Sequence, residues 1–450
     1  MPRPKKNATK DNAVKKPEKK AQSSGRILGM KDTLPSDWRY FKAVSDRAYE
    51  LAEYFGFNYL KTPLLESYDL YKKSSRRPID KELYWVEGEK AEKIVLRPEI
   101  TQGIIRAYLE NINQFTLPLK IFSMGPIFRQ EKLQSGRYRE SNQLDLEIIG
   151  DNKPMAEVGL IALANNFFKE LKINVQVQVN SLGGPECRKE YNTRLLNFYK
   201  ERGRRSKLCN ACKKNLGKNS LTLLDCKEDA CAKMKEEAPQ IADYLNEASR
   251  DHFKKALEHL DELGINYNFN PYLVRGLSYY NDTVFEFWPV SEDGVAQSKL
   301  ALAGGGRFDT LIESFGGPAT PAAGLAIGLE RTVIKAKDNR DLFYVPADDI
   351  IFIGQLGEQA KIKSLLLFED LRKAGFNVRH SFCSDSLKNQ MEEATNMKAK
   401  LSLILGKKEV MDETIIMRDM DSAVQEVVPY KKIKDKLEKK INRKRGVLYG

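Results

Sequence analysis

Residues 125–150 read GPIFRQEKLQSGRYRESNQLDLEIIG. A largely apolar run, 117–128, stops at Arg129, a charged loop follows, and the chain resumes with the acceptor side chains Gln143, Asp145 and Glu147 at alternate positions. A period of two belongs to a strand and puts those three on one face. The pattern predicts a hairpin with a guanidinium on one arm and amide or carboxylate acceptors on the other, which suits a substrate carrying both phosphate and amine. An ordinary exposed hairpin with a charged tip would be spelled the same way, so the rest of the chain has to decide.

With 450 residues the chain has room for two to three domains, each with a sizeable core. No apolar run approaches the ~20 residues of a membrane span, and nothing at the N-terminus resembles a secretory signal. The expectation is a soluble, intracellular, cytoplasmic protein with no membrane partner. The formal charge is +13. Residues 1–25 carry +6 of it and residues 431–450 carry +7, so the body between is formally neutral. Two basic tails suit attraction to a polyanion by counterion release, or are solvated, disordered ends. A transit peptide is disfavoured, because the leader lacks an Arg-spaced amphipathic pattern.

Four of the six cysteines cluster as Cys209-x2-Cys212-x13-Cys226-x4-Cys231. Four thiolates at such spacing could close a tetrahedral zinc site. Reduced, metal-free cysteines in a small helical insert are the alternative, and both stay open. Cys187 and Cys383 stand alone and read as packing residues.

Residues 37–55 have helical periodicity, with Ser36 as the expected N-cap. After a break at Gly56-Phe57-Asn58, residues 59–65 read as a strand interrupted by Pro63, which suits an edge or a subunit boundary. Residues 94–96 lead into Arg97-Pro98-Glu99-Ile100-Thr101 and a helix over 102–111. Beyond the hairpin, 154–171 predicts a helix, and 175–179, 272–274 and 283–288 predict strands. Residues 300–303 run into Gly304-Gly305-Gly306, and 322–329 run into Glu330-Arg331 and a helix. The charged, cysteine-bearing stretch 184–262 reads as a helical insertion. Hairpins dominate, which predicts an antiparallel sheet with helices on one side. Past a linker at Val345-Pro346-Ala347, strands at 350–354, 377–380 and 401–405 alternate with helices at 359–373 and 387–397. That rhythm predicts a separate α/β domain over 346–430, followed by a basic helix or tail over 431–450.

Several segments supply complementary chemistry. Arg129 and Arg331 sit at a strand end and a helix start, where bidentate, permanently charged donors suit a polyphosphate. Arg275 lies in LVRGLSYYNDTVFEF beside Tyr279 and Tyr280. Glu99 and Thr101 follow a proline, where side chains can turn into a cleft. The triple glycine lets backbone approach a ligand closely.

These segments together resemble a class II aminoacyl-tRNA synthetase, and within that class the histidyl-tRNA synthetase family. The resemblance runs from residue 29 to residue 436. GMKDTLP with Pro63 looks like the dimer-forming first motif, GPIFRQEKLQSGRYRE like the second, and AAGLAIGLERTVI like the third. LVRGLSYYNDTVFE resembles the family's histidine-specific RGLDYY segment. The resemblance implies an α+β fold: an antiparallel-sheet catalytic domain over 26–340 with a helical insertion, then an anticodon-binding domain. It further implies ATP and Mg2+ as cofactors, L-histidine and tRNA(His) as partners, and a homodimer.

The resemblance also assigns residues. Glu99, Thr101 and Gln143 would bind the α-amino end of histidine, and Glu147 and Tyr280 the imidazole, with Tyr279 and the 304–306 strand shaping the pocket. Arg129 would hold the α-phosphate and the histidine carboxylate, Arg275 would approach the α-phosphate from the other side, and Arg331 would hold the γ-phosphate. Gln134 would meet the acceptor end of the tRNA. Ser141-Asn142 departs from the family's aromatic-His pair, Ser278 from its Asp, and Ile100 from a small residue, so an altered shell around retained charges is expected. A non-aminoacylating regulatory subunit of histidine biosynthesis shares such a core, but it typically lacks an anticodon-binding domain and an intact arginine motif. A zinc-dependent nucleic-acid module is a further alternative, at odds with the joint retention of Glu99, Arg129, Arg275 and Arg331. None of His252, His259 and His380 falls in a motif, so no catalytic histidine is expected.

Overall fold

The computed structural model describes residues 25–74, 81–88, 92–130, 136–291, 293–294, 300–338, 349–381 and 384–441. Gln134, Cys383, the linker at 345–347 and almost all of the 1–25 tail lie outside the described residues. The chain divides into two units, Met1–Phe343 and Tyr344–Gly450.

In the first unit the strands are β1 (Asn58–Tyr59), β2 (Leu65–Ser67), β3 (Tyr84–Glu87), β4 (Lys93–Leu96), β5 (Leu119–Phe128), β6 (Glu140–Ile149), β7 (Val175–Ser181), β8 (Tyr267–Phe269), β9 (Asn281–Pro289), β10 (Ala303–Arg307) and β11 (Ala322–Gly328). Eight of them form one sheet in the order β1-β5-β6-β11-β10-β9-β7-β8, and β2-β4-β3 form a small one beside it. The large sheet is antiparallel except at its rims, where β1 pairs with β5 and β7 with β8 in parallel. Hairpin β5–β6 sets Ser123 opposite Asp145 and Ile121 opposite Glu147.

Alternation explains the layering. Leu144, Leu146 and Ile148 of β6 point into a core with Phe285, Phe287, Leu325 and Ile327, roofed by helices Pro35–Tyr54, Met155–Glu170, Glu247–Glu262 and Leu329–Ala336. The opposite face is covered too. Helix Thr101–Glu110, helix Pro185–Lys200 and the cysteine-bearing insert bury a second core there, with Ile104, Tyr191, Leu223 and Phe308. Helices on one side was therefore too narrow an expectation, because the insert supplies an apolar layer of its own.

Two local expectations are corrected. The first helix begins at Pro35, with Leu34 at the N-cap and no side-chain cap bond, so Ser36 sits inside the first turn. Proline is preorganised for that first position and needs no N–H there. Residues 272–274 form no strand. Asn270 accepts from Tyr272 N–H through Oδ1 (3.1 Å), its carbonyl accepts from Leu273 N–H (3.0 Å), and Asn180 donates to the carbonyls of Pro271 and Leu273. An Asn-Pro turn has outcompeted the apolar run.

The second unit contains β12 (Ile351–Gln355), β13 (Val378–His380), β14 (Leu401–Leu405), β15 (Thr414–Asp419) and β16 (Gln425–Pro429), in the order β13-β12-β14-β15-β16. The first three are parallel and the last two antiparallel. Helices Glu358–Lys373 and Leu387–Asn396 connect the parallel strands, and Ile433–Lys440 packs Ile433 and Leu437 into the same core. Among the described residues no helix is long and apolar enough to cross a membrane.

Candidate active site

A cavity of about 440 Å³ opens on the β6–β11–β10–β9 floor of the first unit. Part of its lining is acidic. Glu99, just before helix Thr101–Glu110, and Asp145 on β6 belong to it, and both are nearly wholly buried. Tyr279 donates its hydroxyl to Glu99 Oε2 (3.2 Å), and Thr101 Oγ1 donates to Glu147 Oε1 (2.6 Å). The other carboxylate oxygens, Glu99 Oε1, Asp145 Oδ1 and Glu147 Oε2, have no hydrogen-bond partner among the described residues. Buried acceptors left unmatched cost free energy until a donor arrives, so the two that line the cavity, on Glu99 and Asp145, suit a cation or a multiple N–H donor.

The carboxyl pKa values carry the same signature. Burial pushes Glu99 up to about 6, against the pull of Arg129 and the Tyr279 hydroxyl. Burial and then the neighbouring Glu99 push Asp145 up to about 7, opposed by Arg97 and Arg129. Burial, followed by Asp145, holds Glu147 well above the ordinary carboxylate range.

The same cavity is lined by guanidinium groups. Arg129, at the close of β5, is aimed by Nε donating to the Pro98 carbonyl (2.6 Å). Arg331 donates from Nε to the Gly136 carbonyl (3.0 Å) and from Nη1 to that of Ala301 (2.9 Å), which fixes the guanidinium at the cavity wall. Arg275 pairs with Glu286 and stands 5.5 Å from the Tyr280 ring centroid, while its Nε has no hydrogen-bond partner among the described residues. Gly304 is what admits it, since a Cβ there would collide with the guanidinium.

Glu99, Thr101, Arg129, Gln143, Arg275, Tyr279, Tyr280, Gly304 and Arg331 thus all line one cavity, although 232 residues separate the first from the last. Glu147 does not line it. It stands behind Thr101, with Oε2 against Gly324, where no larger residue would fit. Cys209, Cys212, Cys226 and Cys231 gather elsewhere, in the insert. Asp145, which the family resemblance left without a role, lines the cavity, and its place in the period-two alternation was the available signal. Sequence reading also missed Glu330. Asn142 holds that carboxylate by backbone N–H (2.8 and 2.9 Å) and by Nδ2 (2.8 Å), so the Ser141-Asn142 departure builds a tie from β6 to helix Leu329–Ala336.

An antiparallel floor with arginines on the hairpin and on the strand-to-helix junction defines a class II aminoacyl-tRNA synthetase. The family described as "Histidyl-tRNA synthetase" matches residues 29–332, and that described as "Anticodon binding domain" matches 351–440. A histidine–tRNA ligase of Clostridium novyi is 35% identical over 402 residues, covering 88% of this chain and 94% of the relative. One from Desulfotalea psychrophila is 37% identical over 404 residues, covering 89% and 92%. The apo S. aureus histidyl-tRNA synthetase superposes with a TM-score of 0.74 at 26% identity, covering 92% of this chain and 99% of that one. The chain belongs to the histidyl-tRNA synthetase family.

Proposed function

We propose that the chain activates L-histidine with ATP to histidyl-adenylate, releasing pyrophosphate, and then transfers the histidyl group to tRNA(His), releasing AMP. The observation that carries this reading is the joint lining of one cavity by buried carboxylates with unmatched oxygens and by fixed guanidinium groups. An amino acid whose ammonium and imidazole face Glu99, Asp145, Thr101 and Gln143 presents its carboxylate toward Arg129. The nucleophile is already an anion, so no strong base is needed. Rate then comes from alignment and from stabilising charge on phosphate oxygens, the work assigned to Arg129 and Arg275 at the α-phosphate and to Arg331 at the γ-phosphate. Tyr280 faces the imidazole, and Glu147 contributes from behind the cavity wall by holding Thr101. Such polar readout rejects a side chain that leaves its partners unpaired by ~10⁴–10⁵ without editing.

Magnesium takes one or two carboxylates together with phosphate oxygens, and Glu330 beside Arg331 offers that donor type. When bound, the ion would neutralise phosphate charge. Gln134, outside the described residues, keeps its proposed place at the tRNA acceptor end. We assign residues 346–430 to anticodon binding and the exposed Tyr59, Leu64 and Leu65 to a homodimer interface in the cytoplasm. The test is histidine-dependent exchange of pyrophosphate into ATP. Wild-type protein is expected to exchange, and Arg275→His to fold normally but fail. No exchange by wild type refutes the activity, and full exchange by Arg275→His refutes the role of that arginine.

A further inference from the structure

The sulfur atoms of Cys209, Cys212, Cys226 and Cys231 all lie within 4.8 Å of one another, and the four thiols are free of disulfides. Cys209 Sγ and Cys226 Sγ stand 3.9 Å apart. Four sulfurs at ~2.3 Å from a zinc ion form a tetrahedron with edges of roughly 3.8 Å. Two backbone amides are aimed at the cluster. Cys212 N–H donates to Cys209 Sγ (3.4 Å), and Cys209 N–H donates to Cys231 Sγ (3.3 Å). Thiols packed merely as small hydrophobes need no such donors, whereas metal-bound thiolates are regularly supported by them. The neighbours Leu208, Leu216, Leu223 and Leu224 are buried in the same core and offer no competing ligand. All-sulfur donation selects a thiophilic ion, and four protein ligands leave no position for substrate, so such a site is structural.

Between its second and third cysteines the insert runs along the active-site cavity. Asn219, Leu221, Thr222 and Asp225 line it, and so does Lys227, the residue after Cys226. Lys227 Nζ lies 5.9 Å from the Trp288 ring centroid, Trp288 Nε1 donates to Glu286 Oε2 (3.1 Å), and Glu286 Oε1 pairs with Arg275. We propose that the four cysteines hold a zinc ion which fixes residues 219–227 as a wall of the active-site cavity, with Lys227 acting through Trp288 and Glu286 as a positioning residue for Arg275. Binding releases the thiol protons, leaves every other residue covalently unchanged, and requires no oxidant. The zinc site stands independently of the catalytic reading, while the link to Arg275 rests on it.

The test begins with metal analysis of the full-length protein purified under reducing conditions without added metal. One zinc per chain is expected, falling to none in Cys209→Ser and Cys226→Ser. Because those variants risk misfolding, wild-type protein loaded with cobalt(II) alone supplies a second reading, the absorption of a tetrahedral cobalt–thiolate centre. Metal-free wild-type protein, iron in place of zinc, or octahedral cobalt overturns the site. The link is read by Lys227→Met and Trp288→Phe. Each is expected to keep its zinc and its KM for histidine while kcat for pyrophosphate exchange falls about tenfold. The double variant should lose no more than either single one, because both changes break the same chain of contacts. Unchanged kcat, or additive losses, overturns the link. Absent exchange in the wild type would instead count against the proposed activity and leave the metal measurement standing.

Discussion

Asp145 is a carboxylate that faces the cavity in an environment far from its ordinary one. Burial and the nearby Glu99 raise its pKa from 3.8 to about 7, so the folded protein retains a proton that the unfolded chain gives up near pH ~4. The sign follows from linkage. A folded-state pKa above the unfolded one gives stability that is fully present below ~4 and is lost as pH rises through about 7. By pH 8 the carboxylate is charged in both states, and the folded one bears the cost of burying it. Asp145→Asn is therefore expected to stabilise the ligand-free protein at pH 8, on the order of 2–4 kcal/mol, with the gain closing toward pH 4. Paired thermal melts at the two pH values measure it. The same substitution removes a charge partner from the substrate ammonium, so KM for histidine should rise. A variant that melts below wild type at pH 8, or binds histidine unchanged, would show that Asp145 serves the fold and not the cavity.

Strand β10 shows how three adjacent glycines divide their tasks. A Cβ on Gly305 would strike the carbonyl of Gly324 on β11, and one on Gly306 would strike the carbonyl of Thr283 on β9. Backbone atoms cannot swing aside. At Gly304 the obstacle is the guanidinium of Arg275, the far end of a flexible side chain. Gly304→Ala is thus expected to fold with a melting temperature close to wild type while losing at least tenfold in exchange kcat, about 1.4 kcal/mol of transition-state stabilisation. Gly305→Ala should instead fall by several kcal/mol in a denaturant melt, in line with ~1–3 kcal/mol or more for overpacking a filled interior. Equal destabilisation of the two variants would mean that Arg275 is held rigidly and Gly304 serves packing alone. The run of glycines was plain in the sequence, but which of them faces the Arg275 guanidinium was not. Register decides that, and register is set by the pairing of Gly304 with Glu286 and Ala326 on the neighbouring strands.

Across the whole chain, what could be read from sequence was what local periodicity encodes. The acceptor face of β6, the helix after Glu99 and the strand–helix rhythm beyond residue 350 all follow from residues two to four apart. Contacts between distant segments were not legible. Asn142 meets Glu330 across 188 positions, and Lys227 reaches the cavity wall from inside an insert that its sequence marks only by charge and cysteines. The Arg307–Glu157–His252 cluster, with Arg307 and Glu157 buried, ties β10 to helices Met155–Glu170 and Glu247–Glu262 and is another such case, because each of its residues alone resembles a surface charge. The two units keep separate apolar cores, and every residue proposed for adenylate formation falls in the first. A chain ending at residue 343 is therefore expected to fold cooperatively and to retain histidine-dependent pyrophosphate exchange within a few-fold of the full chain. Transfer to tRNA should suffer much more, because contacts far from the reacting centre supply binding energy for positioning the acceptor end. A loss of at least tenfold in kcat/KM for tRNA, about 1.4 kcal/mol, is the expected minimum. Measuring exchange and aminoacylation on the same preparation separates the outcomes. Loss of both together would mean that the second unit is needed to form the adenylation site itself.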